Sequence, residues 1–280
     1  MAANRQRLSV TEFDFDEVKD NLKLFMRNQT EFKDYDFEGS GLSALLDVLA
    51  YNTHYLGFNA NMLANEMFLD SSQLRSSVVS HAKTLGYTTR SATASNAVVD
   101  IFLNTTNASA TMPAGTVFSA SVDDESYQFV TIAEAVAFNS GSNIVFDDIR
   151  IYEGSYVSSR YVADTQNVEQ RFLINDNRVD TTTLSVVVQN SATDTTQKTF
   201  TQSTDIAGLT STSNVYFIQE VEGGQYEIYF GDGILGSAIE DGNIIIMQYV
   251  VTNKGAANGA SAFTSSSAID TVNSVNVVTV

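Results

Sequence analysis

Few residues of this chain could carry out chemistry, and their spacing does not favour it. The only two histidines, His54 and His81, both fall inside predicted helices, and the chain has no cysteine. A structural zinc site needs several histidine or cysteine ligands at short spacing, and that spacing is missing here. We interpret both histidines as polar helix residues and predict no metal site and no cofactor from them.

Two pairs of neighbouring carboxylates, Asp123-Asp124 and Asp147-Asp148, raise the possibility of glycoside hydrolysis. That reaction needs two carboxylates roughly 5–10 Å apart in a cleft that binds sugar. Adjacent residues of a strand point to opposite faces of a sheet, and the chain has no tryptophan to stack on a sugar ring. Solvated turn or edge residues are the simpler interpretation, and we predict no catalytic residues.

The motif Phe230-Gly231-Asp232-Gly233 could belong to a phosphate-binding or calcium-binding loop. A phosphate loop would require the P-loop lysine and a following helix, and a calcium loop would require alternating carboxylates. The motif predicts instead a structural turn made by Gly231, Asp232 and Gly233, in which the carboxylate accepts hydrogen bonds from nearby backbone amides. Glu240 and Asp241 follow across a predicted hairpin, so metal binding at Asp232 stays an alternative.

The segments around this motif predict β-strands. Tyr226, Ile228 and Phe230 alternate with more polar residues, and an apolar run follows at 244–247. Strand patterns recur from Ala97 onward at the spacing of an antiparallel sandwich or barrel. We predict a first β section at 93–165, a β insertion or subdomain at 166–214, and a second β section at 215–280.

Residues 1–92 predict a helical domain that mediates self-association, which makes the fold class α+β with mainly antiparallel, sandwich-like β domains. Asp14 and Ser40 are the predicted caps of two helices. An aromatic, extended link with Phe32 and Tyr35 lies between those helices. A third helix is predicted from Ser72 to Leu85, with Asp70 or Ser71 as its cap and Gly86 as its stop.

The long helix predicted from Leu42 to Leu69 has two apolar stripes. One repeats every seven residues, as in a seam between helices, and the other is aromatic and close to the opposite face. Both stripes need a cover, which is either the rest of a three-helix domain or another chain. The candidate interface residues are Leu49, Tyr51, Tyr55, Leu56, Phe58, Met62 and Leu63.

Two stretches resemble known phage proteins. The order of strand, FGDG turn, Gly-rich loop, apolar strand and Gly/Asn-rich exit between Tyr226 and Ala260 resembles the Baseplate J-like family of contractile tails. The stretch from Phe37 to Tyr87 resembles the N-terminal helical part of baseplate wedge subunits of T-even-type phages.

The resemblance implies a structural virion protein without catalysis, assembled in the host cytoplasm and located in the tail baseplate. Such subunits pair with a second copy, contact other wedge proteins, and form a ring around the tail hub that rearranges when the sheath contracts.

Charge limits the choice of partners. The net charge is −18, and residues 91–280 hold 21 acidic side chains against 6 basic ones. Such a surface repels phosphate backbones and anionic lipids, so we predict neither nucleic acid nor membrane as a partner. The chain shows no secretory signal and no apolar stretch of membrane-spanning length. A receptor- or glycan-binding adhesin module of a phage tail is the alternative function.

Overall fold

The computed structural model describes residues 14–27, 38–141, 143–167 and 169–280. The chain divides into two compact units, residues 1–87 and residues 88–280. The first unit contains the helices α1 (Phe15–Arg27), α2 (Gly41–Glu66) and α3 (Arg75–Thr84). The second unit is made of β-strands, and the predicted α+β class is confirmed. The predicted aromatic link with Phe32 and Tyr35 lies outside the described residues.

Side chains bind backbone amides at the start of α2 and just before α3. Ser40 caps α2, since its hydroxyl oxygen accepts a hydrogen bond from the Ser43 amide at 3.0 Å. The α3 helix begins three residues later than predicted. Glu66, and not Asp70 or Ser71, accepts hydrogen bonds from the Gln73 and Leu74 amides just before α3, at 2.9 and 3.3 Å.

Helix α3 stops at Gly86, as the sequence predicts. Gly86 has a φ of +73°, a backbone conformation that glycine adopts without strain. Its amide donates to the Lys83 carbonyl and the Tyr87 amide donates to the Ala82 carbonyl, both at 2.9 Å. This pair of bonds is the Schellman arrangement, which satisfies carbonyls of the last helical turn.

Helices α1 and α2 are held together by apolar packing and by an ion pair. The Lys19 ammonium lies 2.7 Å from the Asp47 carboxylate and 3.7 Å from that of Glu38. The hydrogen bond to Asp47 raises the pKa of Lys19 above its usual value. Val18 is the buried residue of α1.

Fifteen strands form the second unit within its described residues, 88–141, 143–167 and 169–280. They are β1 (Asn96–Asn104), β2 (Ser109–Met112), β3 (Val117–Val122), β4 (Glu125–Thr131), β5 (Ala135–Phe138), β6 (Asn143–Glu153), β7 (Ser155–Val162), β8 (Phe172–Ile174), β9 (Val179–Gln189), β10 (Gln197–Gln202), β11 (Val215–Glu220), β12 (Tyr226–Phe230), β13 (Ile244–Val251), β14 (Thr264–Ser265) and β15 (Val275–Thr279). Two 3-10 helices, Glu222–Gly224 and Lys254–Ala257, lie in the connections.

The strands form two large sheets and one small one. The six-stranded sheet has the order β14-β3-β4-β6-β1-β15, and the seven-stranded sheet has the order β7-β13-β9-β10-β11-β12-β8. Strands β2 and β5 pair separately. In the large sheets the neighbours are antiparallel except β10 and β11, which are parallel. The prediction of mainly antiparallel strands is therefore confirmed.

Each large sheet has a hydrophobic core of its own. The first core contains Ile101, Phe118 and Phe129, together with Phe263 from near the C-terminus. The second contains Phe172, Tyr226 and Met247. Within the described residues these two clusters share no member, so the two sheets are stabilised separately.

Strand pairing divides the β region differently from the predicted boundaries at 165/166 and 214/215. The predicted insertion at 166–214 supplies β9 and β10, which lie inside the seven-stranded sheet. Strands β14 and β15 come from the last predicted section, yet they pair with β3 and β1 of the first sheet. Composition along the chain does not reveal such pairings, because partners far apart in sequence determine them.

Gly154 joins the two large sheets, since it separates β6 of the first sheet from β7 of the second. Its φ is +125°, and a Cβ atom placed on it would lie 2.2 Å from the Val251 carbonyl oxygen. Such a distance is far below van der Waals contact, so no side chain fits where the strands pass between sheets.

Two buried carboxylates and one backbone amide fix the segment 88–95 to the strands of the second unit. Asp180 accepts a hydrogen bond from the Ala94 amide at 2.8 Å, and Glu220 accepts one from the Thr89 hydroxyl. The Glu153 amide donates to the Ser95 carbonyl at 2.8 Å, while the Glu153 carboxylate accepts from the Asn253 amide at 2.9 Å. A buried carboxylate is stable only when hydrogen bonded, and these bonds meet that requirement.

Candidate assembly surface

Helix α2 is apolar on three faces, of which one is buried in the described structure. The buried face is lined by Ser43, Leu46, Ala50 and Gly57. At about 100° per residue these positions fall in one arc of the helix. Three of the four are small residues, and small side chains allow close approach of a neighbouring helix.

The second face, called here the leucine face, carries the predicted heptad residues Leu49, Leu56 and Leu63. All three are exposed, Leu63 with 69% of its surface accessible. The sequence predicted this stripe, together with Leu46, as a seam between helices, but within the described residues Leu46 is buried and the three heptad leucines are exposed. The heptad pattern correctly indicates an apolar stripe, and it does not determine which stripe the domain itself buries.

The third face, called here the aromatic face, carries Tyr51, Tyr55, Phe58 and Met62. Its rings form a ladder along the helix, with centroid distances of 5.7 Å from Tyr51 to Tyr55 and 6.4 Å from Tyr55 to Phe58. All four side chains are exposed, including Phe58 at 60%. At about 100° per residue, the aromatic and leucine faces lie about 120° apart rather than on opposite sides.

Exposed apolar side chains continue beyond the end of α2. Met67, Phe68 and Leu69 follow the helix directly, and Leu74 and Leu85 flank α3. Within α3 itself, Val79 and Ala82 are the buried residues. Monomeric proteins rarely expose contiguous apolar patches of this extent, and such patches mark sites of protein association.

The FGDG motif forms a tight loop after β12. The Asp232 carboxylate accepts hydrogen bonds from the Ile234 and Leu235 amides, both at 2.9 Å. These backbone donors hold the pKa of the Asp232 carboxyl below its usual range. Gly231 has no room for a side chain, because an added Cβ would lie 2.4 Å from the Leu235 carbonyl oxygen. Gly233 has a φ of +85°.

The aspartates and the histidine considered for chemistry lie in turns, in a strand irregularity and beside a backbone carbonyl. Asp123 and Asp124 have positive φ in the turn between β3 and β4, and Asp148 has a φ of 55° at an irregularity of β6. His81 Nε2 lies 2.8 Å from the Glu66 carbonyl oxygen. In the described ranges, no group of three or more His, Cys, Asp or Glu side chains is placed to hold a metal ion. No helix within those ranges is both long enough and apolar enough to span a membrane.

An α+β chain whose longest helix has two apolar faces that the described residues leave exposed has the construction of an assembly subunit. Comparison with known proteins specifies which kind. Residues 14–87 match the family described as baseplate wedge protein gp6-like, helical domain, and residues 160–260 match the bacteriophage baseplate wedge protein gp6, third domain. The first match ends at the boundary between the two units, and the second covers most of the seven-stranded sheet and the FGDG loop.

A relative in Enterobacteria phage T4 supports the same assignment. The chain is 32% identical over 289 residues to the baseplate wedge protein gp6 of that phage, and the alignment covers 95% of this chain. It covers 42% of that protein, so the chain spans less than half the length of the relative. These similarities agree with the predicted class, a structural baseplate wedge protein. The more specific name Baseplate J-like is not confirmed.

Proposed function

We propose that this chain is a wedge subunit of a contractile-tail baseplate, and that it self-associates through the aromatic face of α2. Copies of the subunit, together with other wedge proteins, build a ring around the tail hub that rearranges when the sheath contracts. The similarity to the T4 baseplate wedge protein gp6 supports the location in the virion baseplate. The observation that carries the self-association is the exposed ladder of Tyr51, Tyr55 and Phe58.

The two uncovered faces of α2 imply two different neighbours. Because the leucine and aromatic faces lie about 120° apart, one helix packed on the aromatic face leaves most of the leucine face free. We assign the aromatic face to a second copy of this chain and the leucine face to another wedge protein. Assembly of this kind takes place in the host cytoplasm, before particles are released.

The proposal gives the chain a mechanical role without catalysis. Its support is that Asp123 and Asp124 are turn residues and that Asp148 occupies a strand irregularity. Turnover of a polysaccharide by the purified chain would contradict this part of the proposal.

Sedimentation velocity of the purified 280-residue chain over a range of concentrations tests the self-association. The double variant Tyr55→Asp/Phe58→Asp introduces two charges on the aromatic face, where each ring otherwise contributes about 2 kcal/mol on burial. We expect its dissociation constant to rise about 100-fold or more. Circular dichroism checks that the helical content is unchanged.

Two further variants complete the experiment. Val136→Asp/Phe138→Asp is the matched control, because Val136 is exposed to the same 53% as Tyr55 and both control residues lie on β5. It should associate like the parent. Leu56→Asp/Leu63→Asp should keep self-association and lose incorporation into particles. If the Tyr55→Asp/Phe58→Asp variant associates as tightly as the parent, the aromatic face is not the contact between copies.

A further inference from the structure

The FGDG loop holds two apolar side chains in solvent at the end of a rigid support. Ile234 is 74% exposed and Leu235 is 42% exposed. Asp232 fixes the backbone amides of both residues, and the Gly233 amide donates to the Gly236 carbonyl at 3.1 Å. These hydrogen bonds hold the backbone of the loop in one conformation, while Ile234 stays largely in solvent and Leu235 partly so.

A second loop supports the first from outside. The Gly236 amide donates to the Thr210 carbonyl at 3.2 Å, and the Ser237 amide donates to the Ser213 carbonyl at 2.8 Å. This neighbouring loop carries Ile206, which is also exposed. The two connected loops thus present apolar side chains on a framework of backbone hydrogen bonds, which is the arrangement expected of a preformed contact site.

The charge around these loops has one sign. Residues 203–214 and 231–243, which contain the two loops, hold four acidic side chains, Asp205, Asp232, Glu240 and Asp241, and no lysine or arginine. The cleft beside the loop is lined by Phe230, Ala238 and Ile239 on its apolar side and has Asp164 and Asp232 among its polar residues. The nearby cation, Arg171, is already paired with Glu227 at 3.1 Å.

We propose that the FGDG loop is a docking site for a basic segment of another virion protein. The segment would place apolar side chains against Ile234 and Leu235 and a lysine or arginine beside Asp232. A second copy of this surface is a poor occupant, because two such acidic surfaces repel each other. That the partner is a virion protein rests on the proposed function, whereas its basic and apolar chemistry follows from the loop itself.

Photo-crosslinking in assembling tails tests this docking. Benzoylphenylalanine replaces Ile234 in the full chain, and in a matched control it replaces Phe138, which has the same exposure of 74% and lies on β5. Mass spectrometry identifies the crosslinked peptides. We expect position 234 to capture one segment of a different virion protein, rich in lysine or arginine, that position 138 does not capture.

The captured segment, made as a synthetic peptide, then serves as the binding probe for the purified chain. We expect its dissociation constant to rise with salt concentration and to rise about tenfold or more for Ile234→Asp. Asp232→Asn keeps a side-chain oxygen for the two backbone amides and removes the charge. This variant should therefore bind more weakly and show a flatter salt dependence.

Several results would overturn the docking site. They are capture of a second copy of this chain, capture of an acidic segment, equal crosslinking at positions 234 and 138, or peptide binding that does not change with salt. If the parent chain is present in purified particles and position 234 captures nothing, the docking site alone fails. If the parent chain is absent from particles, the proposed function fails as well.

Discussion

Replacing Gly154 by alanine should destabilise the second unit more than any ordinary loop substitution. The φ of +125° lies in a region that is essentially restricted to glycine, and holding another residue there costs about 1–3 kcal/mol. The new Cβ would also lie 2.2 Å from the Val251 carbonyl oxygen and 3.0 Å from Val250 Cγ1. Because both atoms belong to the inner strand β13, relief requires a backbone shift that costs a further 1–3 kcal/mol, roughly.

The sum, about 4 kcal/mol, corresponds to a fall of roughly 8–16 °C in melting temperature for a unit of this size. Differential scanning calorimetry of the full chain measures it. The matched control is Gly242→Ala, since Gly242 also has a positive φ, +77°, but has no atom within 4 Å of the added Cβ. The control should lose about 1 kcal/mol, or roughly 2–4 °C. If the two variants melt at the same temperature, the close contact of the added Cβ with β13 does not destabilise the Gly154→Ala variant.

Two further predictions concern carboxylates. Asp180→Ala leaves buried donors without an acceptor and should lower the free energy of unfolding by about 3 kcal/mol. Amide hydrogen exchange at 91–95 should become faster. The control Asp205→Ala, at an exposed turn, should leave that exchange unchanged. Hydrogen bonds from the Asn190 side chain and from Thr196 lower the pKa of Asp194 from 3.8 to about 2. The contribution of this carboxylate to folding stability is therefore present above pH 3.8 and is lost as the pH falls through about 2. Carboxyl NMR should give a midpoint near 2 that rises in Asn190→Ala, and a midpoint at the ordinary value would contradict the role of these bonds.

The FGDG turn and the caps were accessible from sequence because they depend on neighbouring residues. Asp232 bonds to amides two and three positions away, and Ser40 bonds to one three positions away. The bonds of Glu66 just before α3 were not predicted, because this acceptor lies seven residues before the Gln73 amide that it binds. The exposed apolar stripes of α2 were also predicted from spacing alone, since an apolar stripe repeats with the helical period.

The sequence by itself determined the α+β class, the helical first unit and the apolar stripes of α2, because hydrophobic periodicity, turn residues and caps act over a few positions. Only the tertiary structure decided which stripe of α2 is buried, that β14 and β15 return to the first sheet, and that Gly154 connects the two sheets. Each of these depends on contacts between segments far apart in the chain. Such contacts are selected by the shapes of the packed surfaces, and local pattern does not encode them.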